Sequence, residues 1–349
     1  MSVQEKMSCI LVTARFDRET LACVAKSHDV TYECWQDTGV FLSGEPLANR
    51  LNGGRYQIYV NEGDSVLAEV IERLEYTRLI CVARATPSNV DIAAATRAGI
   101  VVTHTPGRNA VAVAEYTVGL ILDLARHISQ SNRLVLEGCW AFGRFQEVEG
   151  LELSGRTVGL VGVGYVGREV ARRLGAFEMH ILGYDPYCDS GAALSAGVTL
   201  VSLERLLRES DIVSIHATVT PESRGLIGAR EFALMKPTAL FVNTARAIIT
   251  DEQALYQVLC EKRIAGAALD VFLDEPVTRG HPLAQLDNVL VTPHLAGATR
   301  EVVVKHSRMI ERDIEAFVSG HCPPHAVNRE VWPLVLRSAS AGLAQERQK

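Results

Sequence analysis

TVGLVGVGYVGREVARRLGAFEMHILGYD, residues Thr157 to Asp185, is the stretch around which the rest of the chain can be ordered. The apolar run Val158 to Val161 leads into Gly162, Gly164 and Gly167 at the spacing G-x-G-x-x-G. Val170, Ala171 and Leu174 then recur on one helical face. A second apolar run, Ile181 to Tyr184, ends on Asp185, and 185 − 167 places that acid 18 residues past the third glycine. This is close to the ~20 residues at which an acid meets the ribose of a bound dinucleotide. Gly162 allows the tight turn, Gly164 lets backbone N–H groups approach a pyrophosphate, and Gly167 lets the helix pack closely on the strand. The alternative reading of the stretch is a strand–helix–strand unit with an empty turn. Pro186 to Ser190 contain no Arg or Lys to receive a ribose 2′-phosphate, and Asp189 adds a second carboxylate, so the spacing points to NAD rather than NADP.

The length of 349 residues suggests two domains, and 48% apolar with 22% charged residues is ordinary for a globular protein. A net charge of −6 without a basic run argues against nucleic acid or an anionic membrane as partner. No apolar run approaches the ~18 residues of a membrane span, and MSVQEKMSCI lacks the features of a signal peptide, so a cytoplasmic protein is expected. The eight cysteines form no C-x-x-C pair and read as buried, reduced thiols with no metal site.

Before the glycine motif, short apolar strands are expected at Cys9 to Thr13, Val30 to Cys34, Tyr56 to Val60, Leu79 to Ala83 and Gly99 to Thr103, with helical pieces such as Ser65 to Glu75 and Val90 to Arg97. That alternation implies a parallel sheet without a phosphate loop, hence a substrate-side domain. Pro106 and Gly107 mark a boundary, and Asn109 is placed to cap a long helix through Val113, Tyr116, Leu120 and Leu124. Asn132 to Gly155 shows no clear periodicity. Its Trp140, Phe142 and Phe145 suit either an oligomer contact or packing on the chain's own core. After Asp185, strands at Asp211 to His216, Ala239 to Asn243, Gly266 to Val271 and Val289 to Thr292 alternate with helices and complete a doubly wound sheet. A last helix, about Arg300 to Ser319, leaves that sheet to pack on the first domain, and the tail Ser338 to Lys349 is polar.

Three polar residues fall at or just past successive strand ends: Arg246 in FVNTARAIITDE, Glu275 in ALDVFLDEP and His294 in VTPHLAGAT. Reducing a 2-oxo acid needs an acid to protonate the developing alkoxide, a carboxylate to orient that acid, and a cation to hold the substrate carboxylate. His, Glu and Arg supply these in turn. With TPGRNAVAVAE, LVGVGYVGREVA, SIHATVTPES, VNTARAIITDEQAL, AGAALDVFLDEP and TPHLAGAT, the chain from about Leu79 to Asn328 resembles the D-isomer-specific 2-hydroxyacid dehydrogenases. The resemblance implies a doubly wound NAD-binding domain, 107–295, inserted in a discontinuous flavodoxin-like substrate domain, 1–106 and 296–349. Both are Rossmann-like, and a homodimer is built on the former. It implies His294 as proton donor and acceptor, Glu275 as its partner, Arg246 as substrate anchor, Asp270 at the nicotinamide carboxamide and Asn109 at the substrate. By the same likeness the backbone around Tyr165 and Val166 meets the pyrophosphate, and His216, Thr244, Ala245, Arg246 and His294 border the cofactor.

The chain departs from the family pattern at three places. Ala247 follows Arg246 where glycine is usual, and Ala217 and Thr218 follow His216 where x-Pro is usual. The substrate loop is Arg84, Ala85, Thr86, Pro87, Ser88 and Asn89, with both usual glycines replaced. Ala85 and Thr86 are expected to offer N–H groups to the substrate carboxylate. Arg84 and Thr86, together with Asn61 and Glu62 after an earlier strand, would form a polar wall suited to a hydroxylated or anionic tail, as in a sugar-derived acid. The alternative of another class is an NAD-sensing corepressor using the same fold as a binding module.

Overall fold

The computed structural model describes residues 8–138 and 149–333. The chain divides into two compact units, Met1–Arg108 with Thr299–Lys349, and Asn109–Ala298.

In the first unit, β1 (Cys9–Val12), β2 (Asp29–Tyr32), β3 (Ile58–Asn61), β4 (Leu79–Val82) and β5 (Val101–Thr103) form an all-parallel sheet in the order β2-β1-β3-β4-β5. The runs IYVN and LICV are buried throughout, as expected for central strands covered on both faces. Leu47, Leu51, Val70 and Ile71 pack with Tyr59 and Ile80 in one apolar cluster, and Val24, Ile310 and Ile314 pack with Ile10, Val12 and Ile58 in another. The helix Arg18–Ser27 begins where Asp17 accepts a hydrogen bond from Thr20 N, and Thr299 caps Arg300–Val318 by accepting from Val302 N. Ile310 and Ile314 on the latter return the chain to the first sheet.

The second unit holds β6 (Thr157–Val161), β7 (His180–Tyr184), β8 (Thr199–Leu200), β9 (Ile212–Ile215), β10 (Leu240–Asn243), β11 (Gly266–Leu269) and β12 (Val289–Val291). All are parallel, in the order β12-β11-β10-β9-β6-β7-β8. The chain winds outward from β6 through β7 and β8, then returns to place β9 on the other side. The switch point therefore lies between β6 and β9, where an open parallel sheet leaves a crevice at its carboxyl edge.

At several points the structure departs from, or adds to, what the sequence suggests. Asn109 stands at the N-cap of Ala110–Arg126 but makes no capping hydrogen bond. Its amide lies beside Gly297, where an added Cβ would come 3.1 Å from Nδ2. Gly44–Gly53 is helical despite its turn-like composition, because Pro46 falls in the first turn, where no N–H is needed, and Leu47, Ala48 and Leu51 are buried. Ile128–Leu136 is helical although none of its side chains is buried. Among the described cysteines only Cys34 and Cys81 are buried, and Cys23 and Cys260 sit on exposed helix surfaces. Trp140, Phe142, Phe145, Cys139 and the 338–349 tail lie outside the described residues. Among the described residues no helix is long and apolar enough to cross a membrane, and no cluster of three metal-ligating side chains occurs.

Candidate active site

β6 ends at Val161 and the chain turns at once through Gly162, whose φ of 99° favours glycine. A Cβ at Gly162 would lie 2.5 Å from Ala217 N, so the turn sits against the end of β9 at the switch point. A Cβ at Gly167 would come within 2.2 Å of the Gly162 carbonyl oxygen, so helix Tyr165–Gly175 meets the strand end backbone to backbone. Gly164 is the opposite case: nothing lies within 4 Å of where its Cβ would be. That open space faces the helix start at exposed Tyr165 and half-buried Val166, where first-turn N–H groups lack intrahelical acceptors. Asp185 Oδ2 accepts from Val163 N and Oδ1 from Tyr187 N, each at 2.9 Å. Two N–H groups thus fix the carboxylate and leave lone pairs for a diol. Open space over a glycine, a helix N-terminus and a fixed carboxylate fit the pyrophosphate and ribose of a dinucleotide.

Two further features of this cradle are not carried by the glycines themselves. Arg168 donates from Nη1 to Val163 O at 2.8 Å and lies over the Tyr165 ring at 5.6 Å, a cation that the stretch after Asp185 does not reveal. His216, past β9, pairs Nε2 with Ser214 Oγ at 2.9 Å, while its Nδ1 is buried without a partner. Burial pushes its pKa down to about 3, so the ring is neutral.

At the ends of β10, β11 and β12 the polar residues collect. Thr244 is buried and shares a 2.8 Å hydrogen bond with Thr117 Oγ1, and Ala245 N donates to Asn243 Oδ1 at 3.0 Å. Arg246 follows and is exposed, with Nη1 donating to Ala245 O. Ala247 opens the 3-10 turn Ala247–Ile249 outside the left-handed region, so alanine in place of the usual glycine is unstrained. His294 is exposed, with a left-handed φ of 54°. Its N–H is shared between Asp270 O at 2.9 Å and Thr292 O at 3.1 Å. Nδ1 donates to Glu275 Oε2 at 2.7 Å, while Glu275 Oε1 accepts from Phe272 N at 3.0 Å. Partial burial would raise the Glu275 pKa. The hydrogen bonds from His294 and Phe272 N, with the Arg246 charge nearby, outweigh it and hold the carboxyl below its usual range.

Asp270 has several partners within its own unit. It is fully buried, Oδ1 accepts from Thr292 Oγ1 and Leu295 N, and Oδ2 accepts from Ala296 N. The carboxylate therefore holds the loop that carries His294. These partners are up to 26 residues away and have no signature beyond the acid itself.

In the first unit, Arg84 is half-buried, while Ala85 and Thr86 are exposed. Ala85 O meets His104 Nδ1 at 2.8 Å. The wall expected from Asn61 and Glu62 is corrected. Asn61 is fully buried and accepts from Asn89 Nδ2 at 2.7 Å. Glu62 is buried and accepts from Arg15, Trp35 and Arg108, so its carboxylate is already occupied. Sequence reasoning missed Arg15 and Arg108 because their common partner is 47 and 46 residues away.

The profile described as "D-isomer specific 2-hydroxyacid dehydrogenase, NAD binding domain" matches residues 118–296. The D-3-phosphoglycerate dehydrogenase of Archaeoglobus fulgidus is 42% identical over 271 residues, 78% of this chain and 51% of that protein, so the chain spans about half the length of that relative. The glyoxylate reductase of Aeropyrum pernix is 38% identical over 328 residues, 92% of this chain and 96% of that protein. The crystal structure of the TT0316 protein from Thermus thermophilus matches with a TM-score of 0.81 at 32% identity, covering 91% of this chain and 99% of that one. The chain belongs to the D-isomer specific 2-hydroxyacid dehydrogenase family, and its second unit carries the family's NAD-binding domain.

Proposed function

We propose that this chain is an NAD-dependent dehydrogenase that interconverts a 2-oxo acid and its D-2-hydroxy acid. The observation that supports this best is the 2.7 Å contact of His294 Nδ1 with Glu275, at the carboxyl edge of the NAD-binding sheet with the Arg246 charge nearby. NAD, when bound, supplies or receives the hydride. Gly162, Gly164, Gly167 and the backbone at Tyr165 and Val166 hold its pyrophosphate, Asp185 its ribose diol, and His216, Thr244, Ala245 and Asp270 border the rest.

With Nδ1 committed to Glu275, Nε2 is the nitrogen that gives a proton to the carbonyl oxygen during reduction and takes it from the hydroxyl during oxidation. Glu275 stabilises the charged ring and fixes its orientation. Arg246 binds the substrate carboxylate through its planar donor pair, assisted by Ala85, Thr86 and Asn109. Arg84 adds a polar side chain that suits a polar or sugar-derived acid. The working enzyme is a cytoplasmic homodimer joined through the NAD-binding domain. The supporting comparison is with relatives named as glyoxylate reductase and phosphoglycerate dehydrogenase. NADH oxidation over a panel of 2-oxo acids tests the reading: turnover of at least one to the D-hydroxy acid is expected, and NADH binding without turnover of any would favour the corepressor-like alternative.

A further inference from the structure

In the first unit β4 runs into the loop Arg84 to Asn89, and β5 runs into His104 and Thr105. The two strands are parallel neighbours, so both segments leave the carboxyl edge of the sheet side by side. Thr105 N donates to Arg84 O at 2.9 Å, and His104 Nδ1 meets Ala85 O at 2.8 Å. A carbonyl oxygen only accepts, so Nδ1 carries the proton of that contact. Farther along, Thr86 O accepts from Ser88 N at 2.9 Å and Asn89 O from Val66 N at 2.8 Å. These carbonyls are taken, whereas the N–H groups of Ala85 and Thr86 have no acceptor among the described residues.

A trans peptide unit is planar, with its C=O and N–H on opposite sides of the chain. Holding Arg84 O against the segment after β5 therefore aims Ala85 N–H away from it, and holding Ala85 O does the same for Thr86 N–H. Two successive donors on one side of a backbone form a cradle for a negative oxygen. Both residues are exposed, and neither has a positive φ, so alanine and threonine in place of glycine add no backbone strain. The two ties differ in kind. Thr105 gives a backbone N–H, which any residue other than proline would supply there, but the tie on Ala85 depends on the side chain of His104.

His104 is itself held from behind. Its N donates to His325 O at 3.2 Å, and Thr103 forms an antiparallel bridge with Ala326. His325 N donates to Oδ1 of fully buried Asp313 at 3.1 Å, and its Nδ1 stands 3.0 Å from the same oxygen. The ring that reaches Ala85 thus springs from a backbone fixed, through His325, to the helix Arg300–Val318.

We propose that His104 is a positioning residue for substrate binding: its Nδ1–H pins Ala85 O and so aims Thr86 N–H at the carboxylate of the 2-oxo acid. The identity of that carboxylate rests on the function proposed above, while the tie itself lies within one unit and does not.

The test compares the full-length protein with His104→Phe, which keeps a flat ring but cannot donate, and His104→Asn, whose amide nitrogen is attached to Cγ as Nδ1 is. Oxamate, an isostere of pyruvate whose amide carbonyl does not accept hydride, is titrated calorimetrically into each with NADH saturating. Saturable binding is expected, weakened at least ~10-fold by His104→Phe and restored to within about threefold by His104→Asn, with the NADH dissociation constant within about twofold throughout. Kinetics with the best 2-oxo acid should show the matching split. KM rises at least ~10-fold in His104→Phe while kcat stays within about threefold, because the carboxylate contact is made alike in ground and transition states. Unchanged oxamate binding in His104→Phe, or an equal loss in both variants, overturns the proposal. So does a loss of denaturant stability in His104→Phe that carries NADH affinity down with it, the mark of a merely structural tie. Absent oxamate binding to the unaltered protein removes the carboxylate from this loop and overturns it too. If no 2-oxo acid is turned over while oxamate binding still follows His104, the proposed reaction fails and the positioning role stands.

Discussion

The two parallel sheets of this chain end in different kinds of edge. That of the NAD-binding unit is built from backbone: glycines brought against neighbouring backbone, open space at a helix start, and exposed Arg246, Glu275 and His294 beyond it. That of the first unit is built from side chains, with Arg15, Arg108 and buried His306 locked around Glu62. A backbone cradle depends on the absence of atoms, and so is written in sequence as glycine. A side-chain cluster depends on the presence of charges that the fold alone brings together.

If that contrast is right, the largest effect of a small substitution falls on the backbone edge. Gly162→Ala places a Cβ 2.5 Å from Ala217 N at a φ of 99°. Clash and left-handed strain together cost about 3 kcal/mol, so NADH affinity measured by calorimetry should fall roughly 100-fold. Affinity within threefold of the unaltered protein would show that the turn is not closely packed.

The side-chain edge should reveal itself through pH. Burial pushes the His306 pKa down to about 4, with the Arg108 charge acting in the same direction. Between about 4 and the ordinary 6.5 the unfolded chain binds a proton that the folded one refuses. His306 therefore withdraws stability as pH falls from 6.5 towards 4, by about 2 to 3 kcal/mol at pH 4.5. Denaturant unfolding of His306→Gln should lose that part of the acid-side slope. An identical slope would show that His306 is not the neutral acceptor of Arg108. Glu62 acts in a lower window. Its bonds from Arg15, Arg108 and Trp35 overcome burial and hold it at about 2, so its stabilising contribution is present above the usual 4.5 and is lost as pH falls towards 2.

Removing charge from the exposed edge should affect rate more than stability. Glu275→Gln keeps the shape but removes the anion that stabilises charged His294. We expect kcat for 2-oxo acid reduction to fall about 10- to 100-fold, with unfolding shifted by less than about 1 kcal/mol, since the pair is exposed. A stability loss without a rate loss would reverse the roles assigned to the two edges.

The smallest effect concerns the choice of dinucleotide. Asp185, held by Val163 N and Tyr187 N, should disfavour a 2′-phosphate by at least about 1.4 kcal/mol, or ~10-fold in kcat/KM. Asp185→Ser should narrow that gap, with Arg168 close by as a cation for the phosphate. An unchanged ratio of NADH to NADPH efficiencies would remove Asp185 from the ribose.

The same contrast explains what could be read from sequence. The glycine spacing, Asp185 and the residues Arg246, Glu275 and His294 lie in short runs whose chemistry depends on neighbours a few positions away, and the strands that carry them are continuous apolar runs. Asp270 was legible as a residue but not in its contacts, because Leu295 and Ala296 reach it only once β11 and β12 pair. Glu62 was legible as polar but not as occupied, and Gly44–Gly53 was hidden because Pro46 and two glycines resemble a turn until burial of Leu47 and Leu51 is known. Arg108 stood in plain view in TPGRNAVAVAE, yet nothing local announces that Glu62 and His306 will enclose it.

The central claim is that His294, oriented by Glu275, moves the proton while the glycine cradle holds the cofactor. Turnover of the best 2-oxo acid and the NADH dissociation constant, measured side by side for the unaltered protein and His294→Ala, test it most directly. The account predicts a fall in kcat of at least ~10² with the dissociation constant within about twofold. A variant that kept most of its turnover, or lost turnover and NADH binding together, would contradict it.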